Sequence, residues 1–175
     1  MIAPDAPSAI RWRPMTPADL PGVHRVSEIV HPSFPEAPEI FAERCALAPE
    51  GCHVLVGPEQ RYFGYMVAHP WTRGMPPKLD TLIGAIPSSP DAFYIHDLAL
   101  VPEARGTGAA ADIVDRIVAL SDGLGLPEMT LISVNDTTRF WGRFGFIVDP
   151  DPLYTERLLS YSDDARFMRR PAFAR

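Results

Sequence analysis

The stretch Tyr94-Ile95-His96-Asp97-Leu98-Ala99-Leu100-Val101-Pro102-Glu103-Ala104-Arg105-Gly106-Thr107-Gly108-Ala109-Ala110-Ala111 decides how this chain folds. Tyr94 to Leu100 is an apolar, aromatic run suited to a strand, Pro102 follows its end, and Arg105-Gly106-Thr107-Gly108 turns into an alanine-rich helix start. Such a turn exposes unpaired backbone N–H groups at the positive end of a helix dipole, and glycine lets an anion approach closely. Arg105 adds a fixed positive charge beside it. The segment therefore predicts a pyrophosphate site, with a purely structural turn as the bland alternative.

Two familiar phosphate loops fit poorly. Gly106-Thr107-Gly108-Ala109-Ala110-Ala111 matches G-x-G-x-x-A, but five residues including Pro102 separate the strand from Gly106. Only 64 residues follow Ala111, too few for the rest of a doubly wound sheet. A P-loop needs Lys-Ser or Lys-Thr after the glycines, and none is there.

Working outward, Ile10 to Arg13 alternates like a short strand, and Thr16-Pro17-Ala18-Asp19 supplies an N-cap, a proline and an acidic residue at the head of a helix. Leu20, Val23, Val26, Ile29 and Val30 carry that helix to about His31. A second helix is expected over Pro38 to Leu47. His53 to Val56 and Tyr62 to Ala68 form an antiparallel hairpin across Gly57-Pro58-Glu59-Gln60. The proline-rich connection from Pro70 to Ala92 is long enough to be either functional or a surface insertion.

Beyond the turn come a helix to about Leu124, a buried strand over Met129 to Val134, a short helix over Thr137 to Phe144, and a final pair of strands ending near Arg169. Strand alternation places Tyr94, His96 and Leu98 on one face and Ile95, Asp97 and Ala99 on the other. The expectation is one mixed α/β domain over 1–175, with its core at about 10–170.

Composition narrows the function classes. A net charge of -6 argues against a nucleic-acid partner. The one basic cluster, Arg166, Arg169, Arg170 and Arg175, alternates with Phe167 and Met168 like a terminal strand with a solvated edge. Such an edge leaves a homodimer open. Cys45 and Cys52 make no CxxC pair, and no metal ligand set stands out, so two reduced thiols in a cytoplasmic protein are expected. Met1 to Ser8 lacks the basic start and apolar run of a signal peptide, and no stretch of about 18 apolar residues predicts a membrane span.

Arg105, Gly108 and Ala110 match the Q/R-x-x-G-x-G/A signature, preceded by the apolar triplet Leu98-Ala99-Leu100 and Pro102. Downstream, Ser133-Val134-Asn135 and Phe140-Trp141-Gly142-Arg143-Phe144-Gly145-Phe146 complete a second motif in the right order. On these residues the chain resembles the GNAT superfamily of N-acetyltransferases from Ile10 to Arg170. The fold so implied is a central, splayed, mostly antiparallel sheet flanked by helices.

The resemblance implies acetyl-CoA as cosubstrate and a primary amine of a small molecule or peptide as acceptor. Its pyrophosphate would lie on the N–H groups of Gly106, Thr107, Gly108, Ala109, Ala110 and Ala111, beside Arg105, and its pantetheine arm along Leu98, Ala99 and Leu100. Asn135 would touch the cofactor, or cap the helix that follows it. His96 is the first candidate base and Asp97 the second, with Ser133 or water available to protonate the thiolate. Trp141 stands where many relatives carry a tyrosine acid, and an indole does not serve that role. Phe34, Glu36, His69 and Trp71 are acceptor-side candidates. The loss of that acid leaves a second reading open, a non-catalytic acyl-CoA-binding or regulatory domain.

Overall fold

A computed structural model describes residues 10–150 and 155–172. Among them, one sheet runs in the order β1-β2-β3-β4-β5-β7-β6. Its strands are β1 (Arg11–Pro14), β2 (Cys52–Val56), β3 (Tyr62–Trp71), β4 (Ala92–Leu100), β5 (Glu128–Ser133), β6 (Ile147–Val148) and β7 (Arg166–Pro171). All neighbours are antiparallel except β4 and β5, which run parallel.

The helices are α1 (Leu20–Val30), α2 (Pro38–Leu47), α3 (Ala109–Gly123), α4 (Thr138–Gly142) and α5 (Thr155–Leu158). Local chemistry sets their starts. The Asp19 carboxylate accepts the Thr16 N–H at 2.8 Å, and its two oxygens take both arms of the Arg13 guanidinium at 2.7 Å each. Tyr62 donates to it from β3, so one carboxylate ties the head of α1 to two strands. Helices α1 and α2 pack on β3, with α1 also touching β4, while α3 packs on β1 and β5 through Ile113, Val114 and Ile117. Trp12 of β1 donates its indole N–H to the Ala109 carbonyl at 2.8 Å, which fixes the first turn of α3.

Two features place the site. Strands β4 and β5 pair only at Phe93–Met129, Tyr94–Thr130 and Ile95–Leu131, then part, so the β5-facing edge of β4 beyond Ile95 is free. On the other side of β4, Val67 pairs with Asp97 and Ala68 with Ile95, so His96 is an extra, bulged residue.

That bulge overturns strict alternation along β4. Its extra residue re-aims the strand, and His96 and Asp97 both reach the cleft instead of dividing between two faces. The basic strand also differs from expectation: β7 lies between β5 and β6, and the edge is β6, with Ile147 and Val148 exposed. The edge pairing foreseen at Arg166 to Arg169 is thus already occupied within the chain. Met1 to Ser8, read above as lacking the features of a signal peptide, lie outside the described residues.

Candidate active site

The parted strands open a cavity of about 830 Å³ that runs from the glycine turn to the loop between α1 and α2. At the end beside the glycine turn, Gly106 and Gly108 take φ of 75° and 88°, a left-handed backbone that glycine adopts without strain. Gly108 is the N-cap of α3; the Ala109 N–H that follows donates to Thr107 Oγ1 at 3.4 Å, and the N–H groups of Ala110 and Ala111 come next in the first turn.

Of the predicted cofactor residues, Leu98, Leu100, Arg105, Gly106 and Gly108 line the cavity, as do Ala110, Ala111 and Asn135. Ala99, Thr107 and Ala109 are not on its wall. Ala99 is fully buried, the Thr107 hydroxyl donates to the Ala104 carbonyl at 2.7 Å, and the Ala109 carbonyl is held by Trp12. Arg105 Nε donates to the Leu100 carbonyl at 3.3 Å, which sets the guanidinium across the end of β4. Asn135 is in left-handed backbone at φ 54°, and Thr137 occupies the N-cap position of α4 without a side-chain capping bond, its hydroxyl donating to the Val134 carbonyl at 2.7 Å. Trp141 forms part of the wall and packs edge-on to Phe140 and Phe146.

At the other end two acid–histidine pairs meet. His96 Nε2 lies 2.8 Å from Glu36 Oε2, with side chains only 2% and 5% exposed. The second oxygen of Glu36 accepts the Asp80 N–H at 3.1 Å. A carboxylate only accepts, so in the neutral form of His96 the proton sits on Nε2 and the lone pair on Nδ1, a buried atom with no hydrogen-bond partner among the described residues. Asp97 Oδ1 lies 2.9 Å from His31 Nε2, and its other oxygen accepts the Tyr65 hydroxyl. Burial opposes the charge on His31, but Asp97, and Glu36 beyond it, outweigh burial and raise its pKa. Burial likewise opposes ionisation of Asp97, and the same His31 with Tyr65 outweighs it and lowers its pKa.

The remaining candidates are dispersed. Phe34 lines the acceptor end. Ser133 is buried, its hydroxyl 3.0 Å from that of Thr137 and off the cavity wall. His69 is fully buried against Trp71 and Tyr94, and burial holds its imidazole down to about 3, so it is neutral. Trp71 donates its indole N–H to the Met75 carbonyl, off the wall.

His31, Leu79 and Tyr161 also line the cavity, beside Phe34 and Glu36, and were not foreseen. An ionisable residue at a helix end beside Pro32 was the only available signal for His31. Nothing local marks the other two, which come from the proline-rich connection and the C-terminal segment. Among the described residues, no cluster of three metal-ligating side chains occurs and no helix is long and apolar enough to cross a membrane.

Two parallel strands that part beside a glycine turn opening a helix frame the cavity. The model of the acetyltransferase (GNAT) family matches residues 21–146, and the chain belongs to that family. In fold it is similar to the loading GNATL domain of CurA from Lyngbya majuscula, at TM-score 0.76 and 10% identity, covering 95% of this chain and 100% of that one. It is similar to Ard1 from Thermoplasma volcanium at TM-score 0.71 and 17% identity, with 95% and 99% covered. Arabidopsis thaliana Naa50, solved in complex with the bisubstrate analogue CoA-Ac-MVNAL, matches at TM-score 0.67 and 14% identity, with 92% and 97% covered. No curated protein matches the chain in sequence.

Proposed function

We propose that this protein is an acetyl-CoA-dependent N-acetyltransferase that acetylates a primary amine by direct attack, with His96 as the proton acceptor and Glu36 as the residue that positions it. The observation that carries this is the continuity of one cavity, with the Arg105–Gly108 turn at one end and the buried His96–Glu36 pair at the other.

The pyrophosphate would rest on the N–H groups at the head of α3, beside Arg105. The pantetheine arm would pair with the free edge of β4 beyond Ile95, as an added strand. An alkylammonium must lose a proton before it attacks a thioester, and we assign that proton to the Nδ1 lone pair of His96, an atom buried at the cavity wall. As the new C–N bond forms, negative charge grows on the carbonyl oxygen, where a backbone N–H of β4 is the available donor. Collapse breaks the C–S bond and releases the thiolate of CoA, and the second proton of the former amine passes to that thiolate directly or through solvent. A thiol with a pKa near ~8.5 needs little help in leaving, which suits a site with Trp141 in place of a tyrosine acid.

Asp97, held by His31 and Tyr65, is then an electrostatic neighbour of the reacting amine and not its base. Ser133 is not given the acid role, because its hydroxyl faces Thr137. Two free buried cysteines suit work in a reducing cytoplasm. The test is thiol release from acetyl-CoA against a panel of amines, with the acetylated product identified by mass spectrometry. Release that depends on the amine and falls ~100-fold in His96→Ala supports the assignment; release that is indifferent to His96 removes it.

A further inference from the structure

Glu36 has a long, flexible side chain and lies in the loop that leads into α2, yet it presents one oxygen to His96 with almost no exposed surface. Fixing such a side chain opposes its conformational entropy, so other groups must hold it. Helix α2 does not do so from within. Its N-cap is Ala37, which carries no polar side chain, and the third helical position is Ile40, where a Glu or Gln would reach back to the N-cap N–H.

The grip comes from the proline-rich connection between β3 and β4. Asp80 Oδ1 accepts the Ala37 N–H at 2.7 Å, and the Asp80 N–H donates to Glu36 Oε1 at 3.1 Å. The Ala37 N–H belongs to the peptide unit that Glu36 itself begins. Asp80 therefore holds Glu36 at its backbone and at its carboxylate, and leaves Oε2 for His96 Nε2 at 2.8 Å. It does so from left-handed backbone at φ 52°, which Asp and Asn adopt more readily than other residues with a side chain. Both flanks of Asp80 are anchored in turn. The Thr81 carbonyl accepts Nη2 of the buried Arg44 at 2.9 Å, Glu43 takes the N–H groups of Ile83 and Gly84 at 2.9 and 2.8 Å, and the Pro77 carbonyl accepts the Tyr161 hydroxyl at 3.0 Å.

We infer that Asp80 is a positioning residue for catalysis: through its paired contacts to Glu36 and Ala37 it fixes the carboxylate that decides which nitrogen of His96 carries the proton. This rests on the acetyltransferase reading above, in which Nδ1 of His96 takes the proton of the amine. Asp80 is itself exposed, so removing its carboxylate opens no hole in the core. Asp80→Gly keeps left-handed backbone accessible and deletes the acceptor of the Ala37 N–H. Asp80→Asn keeps an oxygen acceptor as well as tolerance of that backbone.

Two readouts on the whole protein test this. The first is nitrogen NMR of histidine-labelled protein at about pH 8, where an imidazole is ordinarily neutral and its bare and protonated nitrogens resonate far apart. His96→Ala assigns the signals. Wild type and Asp80→Asn should show His96 protonated at Nε2 and bare at Nδ1, whereas in Asp80→Gly the two signals move toward each other as the second tautomer gains population. The second readout is amine-dependent thiol release from acetyl-CoA. Asp80→Gly should lower kcat by about fivefold or more, part of the roughly 10²- to 10⁴-fold that a positioned base contributes, with KM for acetyl-CoA within about twofold and Asp80→Asn close to wild type. A His96 spectrum in Asp80→Gly that matches wild type overturns the inference whatever the rate, and so does an equal loss of rate in the Gly and Asn variants. If wild-type protein turns over no amine, the acetyltransferase reading fails, and the imidazole spectrum still decides whether Asp80 sets the tautomer of His96.

Discussion

Glu36 Oε2 lies 2.8 Å from Nε2 of His96, and the two side chains, from a helix-connecting loop and a bulged strand, are both nearly excluded from solvent. The pairing sets which nitrogen of His96 is basic, a task that a neutral amide performs poorly because it offers both a donor and an acceptor. Glu36→Gln should lower kcat by about 10- to 100-fold, part of the roughly 10²- to 10⁴-fold that a positioned base contributes. Acetyl-CoA affinity should stay within about twofold, because the cofactor end of the cavity is built from other residues. Steady-state kinetics beside calorimetry separates the two; an equal fall in affinity would show a structural role instead.

At the cofactor end the sensitive position is Gly108. Nothing lies within 4 Å of a Cβ placed there, so a side chain meets no protein clash, but φ of 88° strains any residue other than glycine. Gly108→Val should cost about 1–3 kcal/mol of backbone strain and set two methyl groups where the pyrophosphate approaches. Acetyl-CoA affinity should fall by tenfold or more while circular dichroism keeps the wild-type helix signal. Unchanged affinity would remove the turn from the binding site.

The Arg13–Asp19 pair gives a test of the fold that does not involve catalysis. Hydrogen bonding from Arg13 holds the Asp19 carboxyl well below the usual range, against the opposing effect of burial, and Thr16 and Tyr62 add to it. Its folded pKa is lower than its unfolded one, so the stabilisation is present above about pH 3.8 and is lost as pH falls through the folded value. Asp19→Asn should cost about 2 kcal/mol at neutral pH, because it leaves Arg13 and Tyr62 facing an amide. The gap between the two unfolding curves should close as the solution is acidified; a gap constant with pH would contradict the assignment.

For His31 the sign is reversed. Asp97 and Glu36 raise its pKa against burial, so its contribution is complete below about pH 6.5 and declines as pH rises through the raised folded value. His31→Gln should therefore lose most stability relative to wild type near pH 6 and progressively less in alkaline buffer. Thermal unfolding followed across that range reads the difference directly.

Much of this was legible in local sequence. The range Pro38 to Leu47 is the observed α2, and the capping residues at Thr16 and Asp19 mark the head of the first helix because capping involves only near neighbours. The Arg105–Gly108 turn at the head of α3 could be read for the same reason, since its left-handed backbone is a property of its own glycines. The bulge at His96 could not, because it is defined by which residues of β3 lie opposite. Glu36 was expected in contact with the acceptor, yet its partner is 60 residues away, and no local pattern encodes that approach. The inner position of β7 escaped for a similar reason, as chain order and sheet order differ there.

The most direct test of the central claim is calorimetric titration of the purified protein with acetyl-CoA, followed in the same sample by thiol release on adding small primary amines. The account predicts saturable binding and thiol release that requires an amine. Absence of any binding by acetyl-CoA would contradict it.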